Sequence, residues 1–255
     1  MIKTHPIKSM LLIAMPIILI LGSLSPIPQD NTYHHFADGR TILFISNFWN
    51  VISNLPFFFV GIYALDALFK THRLCYHKEM KSAYILFFLG IALVSLGSGY
   101  YHLNPNNDTL LWDRLPMAVA FMALFSIVIT EFVGVKEGKY TLYPLLFLGL
   151  LSVIYWAYTE SIGQGDLRIY LFVQFFPMII IPLLLWKFRP SFTLYRAYWS
   201  LLLCYLLAKL CEHFDEALYG LLSVISGHSL KHLFASLGLF LLVRSFICRK
   251  FECKL

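Results

Sequence analysis

Two histidines, His228 and His232, lie four residues apart in "GHSLKH", where a hydrophobic segment begins. A spacing of four residues places two side chains one turn apart on the same face of a helix. Two imidazoles in this arrangement can bind one metal ion, as they do in H-E-x-x-H sites. Because Ser229 stands where those sites have a glutamate, any general base must come from another helix.

Polar residues at the ends of two other apolar segments could complete such a site. His102 closes one segment in "GSGYYHL", with Ser98 one turn before it, and Asp113 opens the next in "LLWDRLPM". Three neutral histidines and a water make the open tetrahedral site of a catalytic zinc ion, Zn²⁺. An aspartate nearby could take the proton of that water, and a serine hydroxyl could donate to the oxyanion of a tetrahedral intermediate.

Each of these residues also has an ordinary structural explanation. A histidine at a helix end is typical of the membrane interface, and Asp113 is placed to cap the start of its helix. Ser98 lies between two glycines, where small residues favour close helix packing. The hydrolytic interpretation therefore depends on whether the folded chain brings these residues together.

The composition indicates the environment in which they would meet. The chain is 59% hydrophobic and only 13% charged, whereas soluble domains carry about 25% charged residues. It is therefore predicted to be an integral membrane protein. An ionisable residue at the centre of a bilayer costs about 2.5–3.5 kcal/mol on insertion scales, which makes each one a functional candidate.

Hydropathy predicts an all-α fold, a polytopic transmembrane helix bundle forming one domain over residues 1–255. A span needs about 20 apolar residues, and the chain has eight such segments. They lie at residues 9–27, 42–69, 82–102, 112–134, 141–158, 167–187, 196–213 and 228–247. The last seven would form a catalytic core at residues 40–247. The first is expected to be an additional N-terminal helix, since no small-residue signal-peptide cleavage site precedes Pro26 and Pro28.

The loop charges predict the topology. Fifteen of the 20 lysines and arginines fall on one side of the predicted spans, and positive loops stay in the cytoplasm. Both termini are therefore expected to be cytoplasmic. The end of the third span and the starts of the fourth and eighth would share the non-cytoplasmic face, where the three histidines and Asp113 could meet. Since the basic residues are spread over several loops, no nucleic-acid partner is expected.

Other polar residues near the spans are assigned structural roles. A stripe on the second span is expected to form interhelical hydrogen bonds. Its members are Ser46, Asn47, Asn50, Ser53 and Asn54. An acidic group after the seventh span is expected to be a solvated loop, with support of the metal histidines as the alternative. Its members are Glu212, His213, Asp215 and Glu216. Asp66 and Glu131 are predicted to pair with nearby lysines.

These motifs resemble those of the alkaline ceramidase family, whose superfamily also holds progestin/adipoQ-type receptors and Per1-like lipid-remodelling proteins. The family pattern is S-x-x-x-H at the end of one helix, D-x-L-P-M opening the next and H-x-x-x-H on the last. Here it reads as Ser98 to His102, "DRLPM" from Asp113, and "HSLKH". The segment "FWNVISN" is similar to the F-W-N-x-x-S-N that opens the family's first core helix. The resemblance covers about residues 40–245.

The resemblance implies zinc bound by the three histidines and hydrolysis of the amide bond of ceramide to a sphingoid base and a fatty acid. Asp113 would position and deprotonate the water, and Ser98 would help to stabilise the oxyanion. Eukaryotic members also bind calcium, Ca²⁺, through acids before the F-W-N motif, with a glutamate immediately preceding it. Here Asn47 holds that position and "HHFADGRTILFIS" offers only Asp38, which argues against carrying the calcium site over.

The sequence therefore predicts an intramembrane zinc amidohydrolase acting on a ceramide-like N-acyl lipid that enters laterally from the bilayer. Two alternatives stay open. One is a metal-containing receptor or binding protein on the same scaffold, in which a carboxylate beside the metal water has no use. The other is a haem electron carrier ligated by transmembrane histidines, which would show a Soret band and leave the serine and aspartate without a role.

Overall fold

The computed structural model describes residues 6–252, and over this range the predicted all-α fold is confirmed. The helices are α1 (Pro6–Ser23), α2 (Phe48–Ile52), α3 (Leu55–Phe69), α4 (Lys81–Leu103), α5 (Asn107–Phe132), α6 (Val135–Ser161), α7 (Arg168–Lys187), α8 (Ala197–His213), α9 (Asp215–Leu222) and α10 (Gly227–Cys248). Short 3-10 turns precede α2 and α4. Two of the fifteen basic residues used for the topology, Lys3 and Lys254, lie outside the described residues.

Within residues 6–252, six stretches of helix are long and apolar enough to cross a membrane. They are Phe48–Phe69, Lys78–Leu103, Asn107–Phe132, Val135–Ser161, Arg168–Lys187 and Gly227–Cys248. The other two predicted spans are also helical, but both are shorter. The apolar part of α1 is Ile7–Ser23, and α8 has 17 residues, at the lower limit for a span.

The second predicted span differs from the prediction at its start. Residues 42–47 form a turn instead of a helix, with Leu43, Phe44 and Asn47 in the left-handed region at φ 51°, 63° and 48°. Helical backbone has negative φ, so the chain cannot enter a helix before Phe48. The connection between α1 and α2 is consequently longer than expected, and it packs over the end of the bundle that carries the histidines.

Two glycines allow helices to approach closely beside the predicted site. A Cβ on Gly97 of α4 would overlap the Trp112 carbonyl of α5, next to Asp113. A Cβ on Gly227, the first residue of α10, would overlap the Cys211 carbonyl of α8. Because any larger residue at either position would push two helices apart, the small side chains position the polar ends of α4, α5 and α10.

A buried ion pair joins helices at the opposite end of the bundle, and the prediction that Glu131 pairs with a lysine is wrong. Its carboxylate accepts two hydrogen bonds from Arg249, at 2.7 and 3.0 Å. The hydroxyls of Tyr84 and Tyr198 donate to the same carboxylate, at 2.6 and 2.8 Å. Arginine satisfies both carboxylate oxygens in one plane, which a lysine cannot do.

Replacing Glu131 with glutamine is expected to lower the free energy of unfolding by about 3–5 kcal/mol, because the buried Arg249 charge loses its counter-ion. Unfolding in mixed micelles would measure the change. The double variant Glu131→Gln/Arg249→Met should be less destabilised than the two single changes summed. Additive effects would show that the two charges are not coupled.

Candidate metal centre

Three histidines meet at one end of the bundle. His102 lies in the last turn of α4, and His228 and His232 lie in the first two turns of α10. One nitrogen of each ring lies within 4.8 Å of a nitrogen of each of the others. The ring centroids are 4.9 to 5.1 Å apart, and each residue is at most 5% exposed. We call these residues the histidine triad.

The start of α10 is built so that both of its histidines face the same way. The Ser226 side chain caps the helix by accepting from the Ser229 N–H at 3.2 Å. The Asp215 carboxylate of α9 accepts from the His228 N–H at 2.6 Å and from the Ala37 N–H at 2.9 Å. The helix therefore begins at Gly227, and the spacing of four places His228 and His232 one turn apart.

Neighbouring side chains orient the imidazoles. The Ser53 hydroxyl lies 2.8 Å from Nδ1 of His232, within hydrogen-bond distance, which leaves Nε2 of that ring for a ligand. Phe36, in the connection before α2, packs on the rings of His102 and His228 with centroids 4.8 and 4.5 Å away. The phenyl ring separates the triad from solvent on that side.

The donor set fits a metal ion such as zinc. Nε2 of His102 and Nε2 of His228 are 3.4 Å apart, so a proton or a cation is needed between two neutral rings. Nδ1 of His102 has no hydrogen-bond partner among the described residues. Three histidine nitrogens are the protein ligands of one class of catalytic zinc ion. Within residues 6–252, the triad is the one cluster of histidine, cysteine or acidic side chains arranged to hold a metal.

A lysine lies directly beside the triad. The Lys231 ammonium donates to Nε2 of His228 at 2.9 Å and to Glu212 at 2.9 Å, and Lys209 also pairs with Glu212. A metal ion and Lys231 would compete for the same lone pair of His228. If a metal ion took that lone pair, the Lys231 ammonium would keep its contact with Glu212.

The acidic group after the seventh predicted span is helical, and although His213 and Glu216 are exposed, Glu212 and Asp215 are partly buried, so the expectation of a solvated loop is wrong for these two. Glu212 and His213 end α8, and Asp215 and Glu216 form the first turn of α9, where acidic side chains favour a helix start. Glu212 reaches the triad through Lys231, and Asp215 caps the start of α10. These two contacts correspond to the alternative in which the acidic group supports the histidines.

The structure brings Ser98 and Asp113 to the wall of a cavity that also reaches His232. The cavity has a volume of about 340 Å³. Asp113 follows the capping box of α5, in which Asn106 and Thr109 bond to each other's backbone, and Ser98 lies beside its carboxylate. One oxygen of Asp113, Oδ1, is buried without a hydrogen-bond partner among the described residues.

Most of the remaining cavity wall is apolar, and the cavity extends between the helices. Its wall includes Phe57, Phe87, Ile91, Phe121, Leu124 and Leu239. A wall of this kind suits a hydrocarbon chain. The polar end of the cavity therefore lies at the triad, and the apolar end lies deeper in the bundle.

Asp38, in the segment before α2, is held in an ion pair with Arg40. Both oxygens of Asp38 accept hydrogen bonds from Arg40, at 2.8 and 2.7 Å. These hydrogen bonds hold the pKa of Asp38 below its usual value. A carboxylate held by an arginine is a poorer calcium ligand than a free carboxylate.

The fold and the site define a class of protein, a helical membrane protein that encloses a three-histidine site at the polar end of an apolar cavity. The ceramidase family model matches residues 40–252, and the chain belongs to this family. Its membership implies a hydrolase and supports a function in ceramide hydrolysis. The match begins after α1 and includes the triad, Ser98 and Asp113. A search of curated proteins gives no match.

Residue types and spacing did not identify the role of Ser53. It was expected to bond between helices as one of a polar stripe, and its partner is the ring of His232 itself. The serine in "FWNVISN" could have been assigned to the histidine site only if the orientation of α2 relative to α10 had been known. Phe36 and Lys231 carry no motif, so only the folded structure identifies them.

Replacing Ser53 with alanine is expected to weaken metal binding about 10–100-fold, because a ligand ring loses the hydrogen bond that fixes its orientation. Competition with a chelator of known affinity would measure the change. Ser53→Thr, which keeps the hydroxyl, should restore affinity. Ser46→Ala, at an exposed position of the same stripe, is the matched control. If Ser53→Ala and the wild type bound the metal with equal affinity, Ser53 would have no role in orienting His232.

Proposed function

We propose that the protein is an intramembrane zinc-dependent amide hydrolase that cleaves a ceramide-like N-acyl lipid into a fatty acid and a sphingoid-type amine. The observation that carries the proposal is the position of the triad, three buried imidazoles of which His232 lines the polar end of an apolar cavity. Ser98 and Asp113 share the cavity wall with His232. A site for metal binding alone would not need this carboxylate and hydroxyl.

The three imidazoles would hold the metal, with His232 oriented by Ser53. Zn²⁺ bound there supplies a Lewis acid that makes water a nucleophile at neutral pH. Asp113 takes a proton from the attacking water as its oxygen bonds to the carbonyl carbon. Ser98 donates a hydrogen bond to the carbonyl oxygen as negative charge develops on it. The C–N bond then breaks, and Asp113 returns the proton to the leaving nitrogen.

The environment of the site suits a substrate that arrives from the lipid phase. The apolar wall of the cavity lies between membrane-spanning helices, so an acyl chain need not pass through water to reach it. We propose lateral entry from the bilayer. We also propose that both termini are cytoplasmic and that the site lies near the non-cytoplasmic face, as the distribution of loop charges indicates.

The test combines metal analysis of the purified full-length protein with an assay of N-acylsphingosine hydrolysis. The expected result is about one zinc ion per chain and release of equimolar fatty acid and amine. Removal of the metal by a chelator should abolish release, and added zinc should restore it. Protein that holds zinc but cleaves no N-acyl lipid would favour a binding protein on the same scaffold. A Soret band would favour the haem carrier.

A further inference from the structure

The two buried arginines of the bundle have different surroundings. Arg249 is 3% exposed and forms a two-point ion pair with Glu131. Arg114 is 5% exposed, and no ion pair among the described residues includes it. A buried charge is strongly unfavourable unless a counter-charge and hydrogen bonds compensate it. Arg114 therefore lacks something that Arg249 has.

Nearby groups compensate the Arg114 guanidinium only in part. Nη2 donates to Oε1 of Gln29 at 2.5 Å, and the guanidinium lies over Trp156 and Tyr170, 4.1 and 4.6 Å from their ring centroids. Aromatic faces stabilise the charge but accept no conventional hydrogen bond. Nη1 is buried and has no partner in the described part of the chain. An N–H donor left unpaired in this way points to a missing acceptor.

Neighbouring acids do not supply that acceptor. Glu160 lies on the far side of Gln29, and its carboxylate accepts from the Gln29 N–H at 2.6 Å and from the Trp156 indole at 3.2 Å. Asp113, the preceding residue in the chain, forms no ion pair with Arg114 among residues 6–252. Arg114 and Gln29 both line the cavity that reaches the triad, so a ligand in that cavity can reach the guanidinium.

We propose that Arg114, oriented by Gln29, is a subsite for carboxylate groups of the lipid substrate or of its product. A guanidinium presents paired N–H groups that match these anions. The inference rests on the proposed function, since it places the anion on the substrate or the product of amide cleavage at the triad. Two sources have this chemistry, an acidic group on the amine half of the substrate and the carboxylate of the released fatty acid.

The test uses zinc-loaded full-length protein and two matched pairs of ligands. N-palmitoyl serine and the neutral N-palmitoyl serinamide probe the amine half, and palmitate and hexadecanol probe the released acid. Dissociation constants come from ligand-dependent thermal unfolding, and kcat/KM is measured for the two amides. The wild type should bind at least one acidic ligand more tightly than its neutral match, and Arg114→Gln should weaken that ligand roughly 30-fold or more.

Further variants keep the result interpretable. Gln29→Glu places a carboxylate permanently against the guanidinium and should remove the preference even if Arg114→Gln fails to fold. Arg114→Lys should keep part of the preference. Arg168→Gln removes an arginine that pairs with Asp166 and does not line the cavity, so it should behave as wild type.

Each outcome decides the inference. A preference for N-palmitoyl serine assigns the subsite to the amine half, and a preference for palmitate alone assigns it to the released acid. If the wild type prefers neither acidic ligand, or if Arg114→Gln and Gln29→Glu keep the preference, the subsite does not exist. Arg114-dependent binding in a protein that cleaves neither amide nor N-acylsphingosine would refute the proposed hydrolysis and leave the subsite standing.

Discussion

His228→Ala is expected to abolish metal binding and amide hydrolysis together. The substitution leaves two imidazoles, and two ligands do not form the three-ligand site of a catalytic zinc ion. The vacated space lies next to the Lys231 ammonium, whose positive charge further disfavours a cation there. Loss of the metal removes several kcal/mol of transition-state stabilisation, so kcat/KM should fall by about 10³-fold or more.

Zinc per chain and kcat/KM, measured on the same preparation of His228→Ala, would check this expectation. His213→Ala is the matched control, because His213 lies at the exposed end of α8 outside the triad and should keep both metal and activity. Thermal unfolding separates loss of metal from loss of fold. Wild-type zinc content and turnover in His228→Ala would show that the triad is not the metal centre.

The sequence was informative about the triad because two independent signals agree on its location. Hydropathy places His102 at the end of one apolar segment and His228 at the start of another, and the loop charges place both ends on the same face. Both signals depend only on which residues occur and in what order along the chain, and the sequence gives this information directly. The observed helix α10, Gly227–Cys248, begins within one residue of the predicted span.

Contacts that depend on the rotation of one helix against another could not be predicted in this way. Ser53 and His232 are 179 positions apart, and nothing in either segment indicates which helix faces they present. The same limit explains Glu131, for which proximity along the chain favoured a lysine, whereas the folded chain brings Arg249 to it from the end of α10. Hydropathy also gave no sign that residues 42–47 turn through left-handed backbone.

Arg114 shows how burial in the folded chain can indicate a role that a sequence motif does not. In "DRLPM" the arginine at position 114 occupies the variable position of the family pattern, so the motif assigns it no role. The structure shows a guanidinium shielded from solvent, adjacent to Asp113 and facing the cavity wall. The position beside Asp113 and on the cavity wall is why the role proposed for Arg114 concerns the lipid that is bound and not the amide cleavage itself.

Asp113→Asn is expected to keep the metal and lose hydrolysis. The three imidazoles that would bind zinc are unchanged, and an asparagine side chain has nearly the same shape as an aspartate. It cannot take a proton from water or return one to the leaving nitrogen, and general acid–base catalysis contributes about 10²–10⁴-fold. We therefore expect kcat to fall within that range while zinc content stays at the wild-type level.

Metal analysis, kcat and substrate binding by thermal unfolding would measure the effect of Asp113→Asn, with Asp108→Asn as the matched control. Asp108 is an exposed residue of the first turn of α5, so its loss should leave kcat unchanged. Near-wild-type turnover in Asp113→Asn would exclude this carboxylate as the general base. Loss of zinc instead would make Asp113 part of the metal site. Turnover in the wild type that is lost in Asp113→Asn, with zinc and substrate binding retained, is the combination that a protein serving only as a receptor would not produce, because such a protein has no turnover to lose.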